Sequence, residues 1–137
     1  MNNTTQAAFT SLAGRALLAS LFLFSGFGKL AAPAATKGYI AASGMPFPDL
    51  AFIAALIVEI GFATALVLGY KARLIALLMA GFTVVTAVVF HNNFADQGQL
   101  INFLKNIAIA SGLLQIAANG AGAFSLDARS RKTLAVA

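Results

Sequence analysis

Residues 50–68 read LAFIAALIVEIGFATALVL, an apolar run in which Glu59 is the only charged side chain. At 1.5 Å per residue, a helix of this length crosses most of a hydrocarbon core of about 30 Å. Water is absent from that core, so the backbone must satisfy its own hydrogen bonds, and a helix does this within one segment. The stretch therefore predicts a transmembrane helix with a carboxyl group near its middle.

Three further apolar runs lie at 12–30, 74–90 and 100–118. The chain is 60% hydrophobic and 9% charged, whereas a soluble domain carries about 25% charged residues. Its 137 residues hold four spans with little left over, so we predict a single membrane domain, 1–137. The first run is longer than the apolar part of a secretory signal, and we expect it to be kept as a span. The predicted fold class is all-α, a four-transmembrane-helix bundle in a lipid bilayer.

The connections indicate how the spans are arranged. The first, Ala31–Asp49, is the longest and is punctuated by prolines and glycines. The second, 69–73, is so short that the second and third spans must be antiparallel neighbours. Cations concentrate at the end of the bundle shared by both termini and the second connection: Arg15, Lys71, Arg73, Arg129, Arg131 and Lys132. Loops rich in Lys and Arg stay in the cytoplasm, so both termini are predicted to be cytoplasmic, with Arg15 and Arg73 as anchors at that face.

Polar side chains converge in the opposite, outer half of the bundle. A lone charge at the bilayer centre costs about 2.5 to 3.5 kcal/mol on insertion scales, so Glu59 must face the bundle and either pair with a cation or become protonated. Lys105 is the first expected partner because it also lies within its span, and Lys29 is the second. The predicted ligand-binding group consists of Lys29, Glu59, His91, Asn102, Lys105 and Asn106.

Each of these groups also has a purely structural interpretation. Glu59 and Lys105 can form an ion pair that only holds the bundle together, Lys29 can extend to the head groups, and His91 can be an interfacial residue at a helix end. With one His and no Cys, a zinc or haem site built by the protein is not expected. No basic cluster lies on a soluble face, so nucleic acid is not an expected partner.

Short motifs follow one another along the chain in this order: Arg15, FLFSGFGKL at 22–30, GMP at 44–46, EIG at 59–61, LGY at 68–70, His91, INF at 101–103, KN at 105–106 and GAGAFSLD at 120–127. This series resembles the DoxX family of small bacterial membrane proteins, in particular its YphA-type branch. The resemblance covers nearly the whole chain, and it implies a four-helix protein of the bacterial inner membrane. Some members of that family are linked to quinol or thiosulfate oxidation and to oxidative-stress complexes.

The first functional hypothesis is a membrane subunit that supports a redox process. A quinone-like ligand would occupy the outer-half pocket, and redox-enzyme subunits would be the partners. Intramembrane carboxylates also mark transport pathways, so a permease for protons or a small solute is an alternative. A second alternative is a non-catalytic assembly or scaffold subunit, and a homo-oligomer is compatible with each of these. The sequence has no nucleophile–base pair, phosphate loop or metal motif that would indicate a catalytic reaction of its own.

Overall fold

The computed structural model describes residues 2–134, whose regular secondary structure is helical throughout. Six helices follow one another: α1 (Asn3–Ala31), α2 (Pro33–Ala42), α3 (Pro48–Leu68), α4 (Ala72–Phe90), α5 (Gln97–Asn119) and α6 (Leu126–Leu134). Helices α1, α3, α4 and α5 are long and apolar enough to cross a membrane, which confirms the predicted all-α fold with four transmembrane helices. Each contains one of the predicted runs and extends beyond it, most of all α1. Its early start is stabilised by Asn2, whose side chain accepts a hydrogen bond from the Thr5 amide.

The long first connection is not an irregular loop, because it contains α2. Pro33 begins this helix, where its fixed φ suits the first turn and its missing N–H costs nothing. Gly44, with a φ of 79°, follows the end of the helix. Helix α2 packs against the start of α3, and Ile40 on its inner face is buried. Lys37 on the same helix contacts Asp49 at 2.6 Å.

The four spans form two closely packed pairs, α1 with α3 and α4 with α5. The pairs meet in the terminal half of the bundle, defined here as the half that holds the start of α1 and the end of α5. Leu66, Met79 and Leu113 are fully buried there. The core consists of Ala19, Phe22, Ala63, Leu66, Ile75, Ala76, Met79, Ala80, Ala110 and Leu113. The opposite half, which holds α2 and the α4–α5 connection, is called the loop half.

Arg15 joins three parts of the chain at the terminal end. Its side chain is fully buried, and Nη1 donates hydrogen bonds to the backbone oxygens of Leu66 at 2.9 Å and Val67 at 2.6 Å. Nη2 donates to the backbone oxygen of Phe124 at 2.6 Å. Two of these acceptors belong to the last turn of α3, where carbonyls have no partner within the helix. Arg15 thus lies at the predicted end of the bundle but not at its surface, because it caps helix carbonyls inside the protein; Arg73 is exposed.

The first turn of α6 closes the same end of the bundle. The carboxylate of Asp127 accepts hydrogen bonds from the amides of Lys71 at 2.8 Å and Ala72 at 2.9 Å. These amides begin α4, so Asp127 caps that helix from a distant part of the sequence and places a negative charge at its positive end. The chain ends, residues 1 and 135–137, lie outside the described residues. The single domain over 1–137 and the cytoplasmic location of both termini stay predictions.

Candidate functional site

A cavity of about 750 Å³ occupies the loop half of the bundle, directly above the core. Pockets of about 300 to 1,000 Å³ with mostly apolar walls and a few polar groups are typical of small-molecule sites. All four spans and α2 contribute to the walls. The lining residues are Leu21, Phe22, Ser25, Lys29, Ala35, Thr36, Tyr39, Ile40, Met45, Ala51, Ala55, Glu59, Phe82, Thr83, Val85, Thr86, Phe90, His91, Asn102, Lys105, Asn106 and Ile109. The structure thus brings all six residues of the predicted ligand-binding group to one cavity.

Lys29 and Glu59 form the charged centre of the cavity. Nζ of Lys29 lies 2.8 Å from Oε2 of Glu59 and donates a second hydrogen bond, of 2.7 Å, to Oγ of Ser25. Ser25 and Lys29 are four residues apart and therefore share one face of α1. The prediction that Lys105 is the first partner of Glu59 is wrong, and the second choice, Lys29, is correct. The two side chains are 26% and 7% exposed, so the pair is shielded from water without being sealed.

Glu59 lies in a π-helical turn, Ile57–Phe62, in the middle of α3. Such a turn inserts one extra residue into a helix, and single π turns occur frequently at functional sites. Glu59, Ala63 and Leu66 follow one another at spacings of four and three residues and all point inward, Glu59 toward the cavity and the other two into the core. The π turn thus lies where α3 passes from the wall of the cavity to the core.

A close approach between α1 and α3 brings the ion pair together. Gly26 is buried, and a Cβ placed on it would lie 2.6 Å from Cγ1 of Ile60 and 3.1 Å from Cβ of Glu59. Only glycine allows the two helices to come this close. Lys29, one turn further along α1, is thereby held beside the π turn.

We expect Gly26→Ala to destabilise the protein by about 1 to 3 kcal/mol, the usual cost of overpacking a core. Gly28→Ala is the matched control, since nothing lies within 4 Å of a Cβ at that position. There alanine should stabilise the helix by up to about 1 kcal/mol because of its better helix propensity. Thermal unfolding of both variants in detergent checks the pair of expectations, and an unchanged melting temperature for Gly26→Ala would contradict the close approach.

Helix α5 lines the opposite wall with amides and a cation. Asn102, Lys105 and Asn106 all line the cavity, and Nδ2 of Asn106 donates a hydrogen bond to the backbone oxygen of Asn102 at 2.9 Å. Within residues 2–134, Lys105 forms no ion pair. At the end of α4, Nδ1 of His91 lies 2.9 Å from Oε1 of Gln99, which orients the imidazole. Lys105 is thus the cation that the structure leaves available at this wall.

Helix α2 covers the cavity at the loop end. Tyr39 stacks on Phe90 of α4, with ring centroids 5.4 Å apart and planes 16° apart, and both residues line the cavity. Thr83 and Thr86 of α4 line it as well. These four residues were not among those predicted from the sequence, although the spacing of Thr83 and Thr86, three residues apart in an otherwise apolar span, is a visible signal. Tyr39 could not be placed without knowing that α2 is a helix.

Comparison with known proteins agrees with this architecture. The sequence pattern of the DoxX family matches residues 10–92, more than half of the chain. The chain belongs to the DoxX family. Two relatives of this DoxX protein come from Escherichia coli strain K12. The inner membrane protein YqjF is 39% identical over 116 residues, which cover 85% of this chain and 88% of the relative. The inner membrane protein YphA is 37% identical over 123 residues, which cover 86% of this chain and 88% of the relative.

No solved structure matches this DoxX protein. Both relatives are inner membrane proteins by name, and the chain has four helices that are able to span a bilayer. It is therefore a multi-pass protein of the bacterial inner membrane.

Within residues 2–134, no group of three or more metal-binding side chains lies close enough together to hold a metal ion.

Proposed function

We propose that this DoxX protein is a membrane subunit that supports a redox process by binding a quinone-like headgroup in the loop-half cavity. The observation that carries the proposal is the meeting of the six predicted polar side chains, from α1, α3, α5 and the residue that follows α4, in one mostly apolar cavity within a membrane protein. A quinone headgroup is apolar at its faces and carries carbonyl oxygens that accept hydrogen bonds. Such a molecule needs apolar walls with a few donors, and this cavity provides both.

The residues fit such a headgroup in distinct ways. Lys105 and Asn106 would donate hydrogen bonds to a carbonyl oxygen, because the Lys105 ammonium has no ionic partner among the described residues. Glu59 and His91 line the same cavity and are the groups able to give or accept a proton there. A bound quinone would supply the electron chemistry. The sequence contains no cysteine, so partner subunits that deliver or remove electrons are part of the proposal.

The packing of the terminal half favours a binding site over a permease. A path across the membrane would have to continue from the cavity through the core, where Leu66, Met79 and Leu113 are fully buried and Phe22 is 7% exposed. Phe22 lines the cavity, and the other three side chains pack with it in the core and leave no continuation of the cavity there. We therefore place the permease second.

The proposal is tested by titrating the purified protein in lipid nanodiscs with decyl-ubiquinone and measuring the heat of binding. Saturable binding is expected. Lys105→Met should weaken it about tenfold, because a hydrogen bond from a charged donor is worth at least about 1.5 kcal/mol. Lys37→Met is the matched control, since Lys37 lies at the same end of the bundle but does not line the cavity. An absence of saturable binding, or equal losses in the two variants, would refute the proposal.

A further inference from the structure

The cavity reaches the lipid-facing surface beside Leu21. This residue lines the cavity, and 49% of it is exposed. The next residue along α1, Phe22, also lines the cavity but is 7% exposed. Leu21 therefore lies at a rim, where the wall of the cavity becomes the outer surface of α1.

Helices α1 and α5 run in opposite directions and touch just below this rim. A Cβ placed on Gly112 would lie 3.4 Å from Cδ1 of Leu18. One turn from this contact toward the loop half, Leu21 on α1 comes level with Ile109 on α5, and Lys105 follows one turn later. These three residues line the cavity, and Lys105 is exposed. Above their contact, α1 and α5 thus both line the cavity with exposed side chains, Leu21 and Lys105, and the space between the two helices at this level is called the gap.

We propose that this gap is a lateral opening through which an amphiphile enters the cavity from the bilayer. Its rim carries the apolar side chains of Leu21 and Ile109, which suit a hydrocarbon or isoprenoid tail. Glu59, which is 5% exposed, suits a headgroup further inside, and Lys105 lies beside the rim, one turn from Ile109. The ligand class is accordingly a molecule with a hydrogen-bond-accepting headgroup and a long apolar tail that leaves between α1 and α5. Its identity as a quinone rests on the proposed function, whereas the opening rests on the contacts of α1 and α5 alone.

The absence of cysteine from the sequence allows the opening to be tested without a known ligand. Ile109→Cys places a single thiol in the cavity, and the protein is reconstituted in liposomes. The thiol should react with N-dodecylmaleimide and much more slowly with a charged maleimide that cannot cross the membrane. Adding Leu21→Trp should slow the reaction with N-dodecylmaleimide about tenfold because the indole fills the gap. Leu17→Trp is the matched control, since Leu17 lies one turn below on α1, is 74% exposed and does not line the cavity.

Two results would overturn the lateral opening. Equal rates with the two maleimides would mean that the cavity opens to water. Slowing by Val85→Trp but not by Leu21→Trp would place the opening at α4, where Val85 also lines the cavity and is 53% exposed.

Quinone titrations separate this inference from the proposed function. Leu21→Trp should weaken the binding of decyl-ubiquinone about tenfold, or about 1.4 kcal/mol, while the tail-free headgroup binds as it does to the protein without the substitution. Equal losses for the two molecules would contradict a tail in the gap. If neither molecule binds to the unsubstituted protein, the proposed function fails, and the cysteine experiment still decides whether the opening exists.

Discussion

Replacing Arg15 by methionine is expected to lower the free energy of unfolding by about 2 to 4 kcal/mol. The guanidinium donates to three backbone oxygens, those of Leu66, Val67 and Phe124. Each hydrogen bond from a charged donor contributes about 1.5 to 3 kcal/mol, and a buried acceptor left without a donor adds a penalty. Removing the buried charge offsets part of this loss of stability, since an isolated guanidinium is costly to bury. Thermal unfolding in detergent, followed by circular dichroism, measures the difference.

Arg73→Met is the control for this experiment, because it removes the same charge from the same end of the bundle at an exposed position. Its effect should stay within about 0.5 kcal/mol, as for most surface substitutions. Arg15→Lys should recover only part of the loss, since a single ammonium cannot reproduce the planar set of donors. Equal melting temperatures for Arg15→Met and Arg73→Met would mean that Arg15 is the surface anchor that charge counting predicts.

Replacing Lys29 by methionine is expected to cost a similar amount, about 2 to 4 kcal/mol, because it leaves Glu59 without its cation. The carboxylate is 7% exposed and the lysine 26%, so the loss should fall somewhat short of that for a completely buried pair. The double variant Lys29→Met with Glu59→Gln should return to within about 1 kcal/mol of the original protein, since replacing both charges removes the unpaired one. A double-mutant cycle on thermal or denaturant unfolding gives the coupling between the two residues.

Ligand binding by the same double variant separates a functional ion pair from a structural one. If the double variant regains the stability of the original protein but does not bind decyl-ubiquinone as tightly, the ion pair contributes to ligand binding. If the double variant regains both its stability and its affinity for decyl-ubiquinone, Lys29 and Glu59 form a purely structural ion pair. A coupling near zero would show that the 2.8 Å contact contributes nothing measurable, as happens for many exposed pairs.

The four spans could be predicted because length and apolar composition alone decide them. A bilayer accepts few structures other than helices, so the run around Glu59 and the other three could be assigned one by one. The convergence of polar groups was also accessible. Asn102, Lys105 and Asn106 share a face at spacings of three and four residues, and the alternation of span directions brings that face level with Lys29.

What the sequence could not provide depends on contacts between helices. Glu59 meets Lys29 where Gly26 of α1 approaches Ile60 of α3. This close approach, like the π turn beside it, has no clear signal in the composition of either span. The role of Arg15 was missed for a similar reason. Counting cations places Arg15 at one end of the bundle, but only the fold shows that the last carbonyls of α3 and the backbone of Phe124 lie within its reach.

The links at the terminal end also constrain the biogenesis of the protein. Arg15 is synthesised early and Phe124 and Asp127 late. Nη2 of Arg15 donates to the backbone oxygen of Phe124, and the carboxylate of Asp127 accepts from the Lys71 amide, so these hydrogen bonds join the first helix and the α3–α4 turn to the chain after α5. Chains emerge from the ribosome from the N-terminus onward, so all four helices can enter the bilayer before the guanidinium has its full set of acceptors. The oxygens of Leu66 and Val67 are available to Nη1 once α3 has inserted, whereas Nη2 has to wait for Phe124. Final closure of the bundle is therefore a post-insertion step, made by the stretch that leaves the ribosome after the last span.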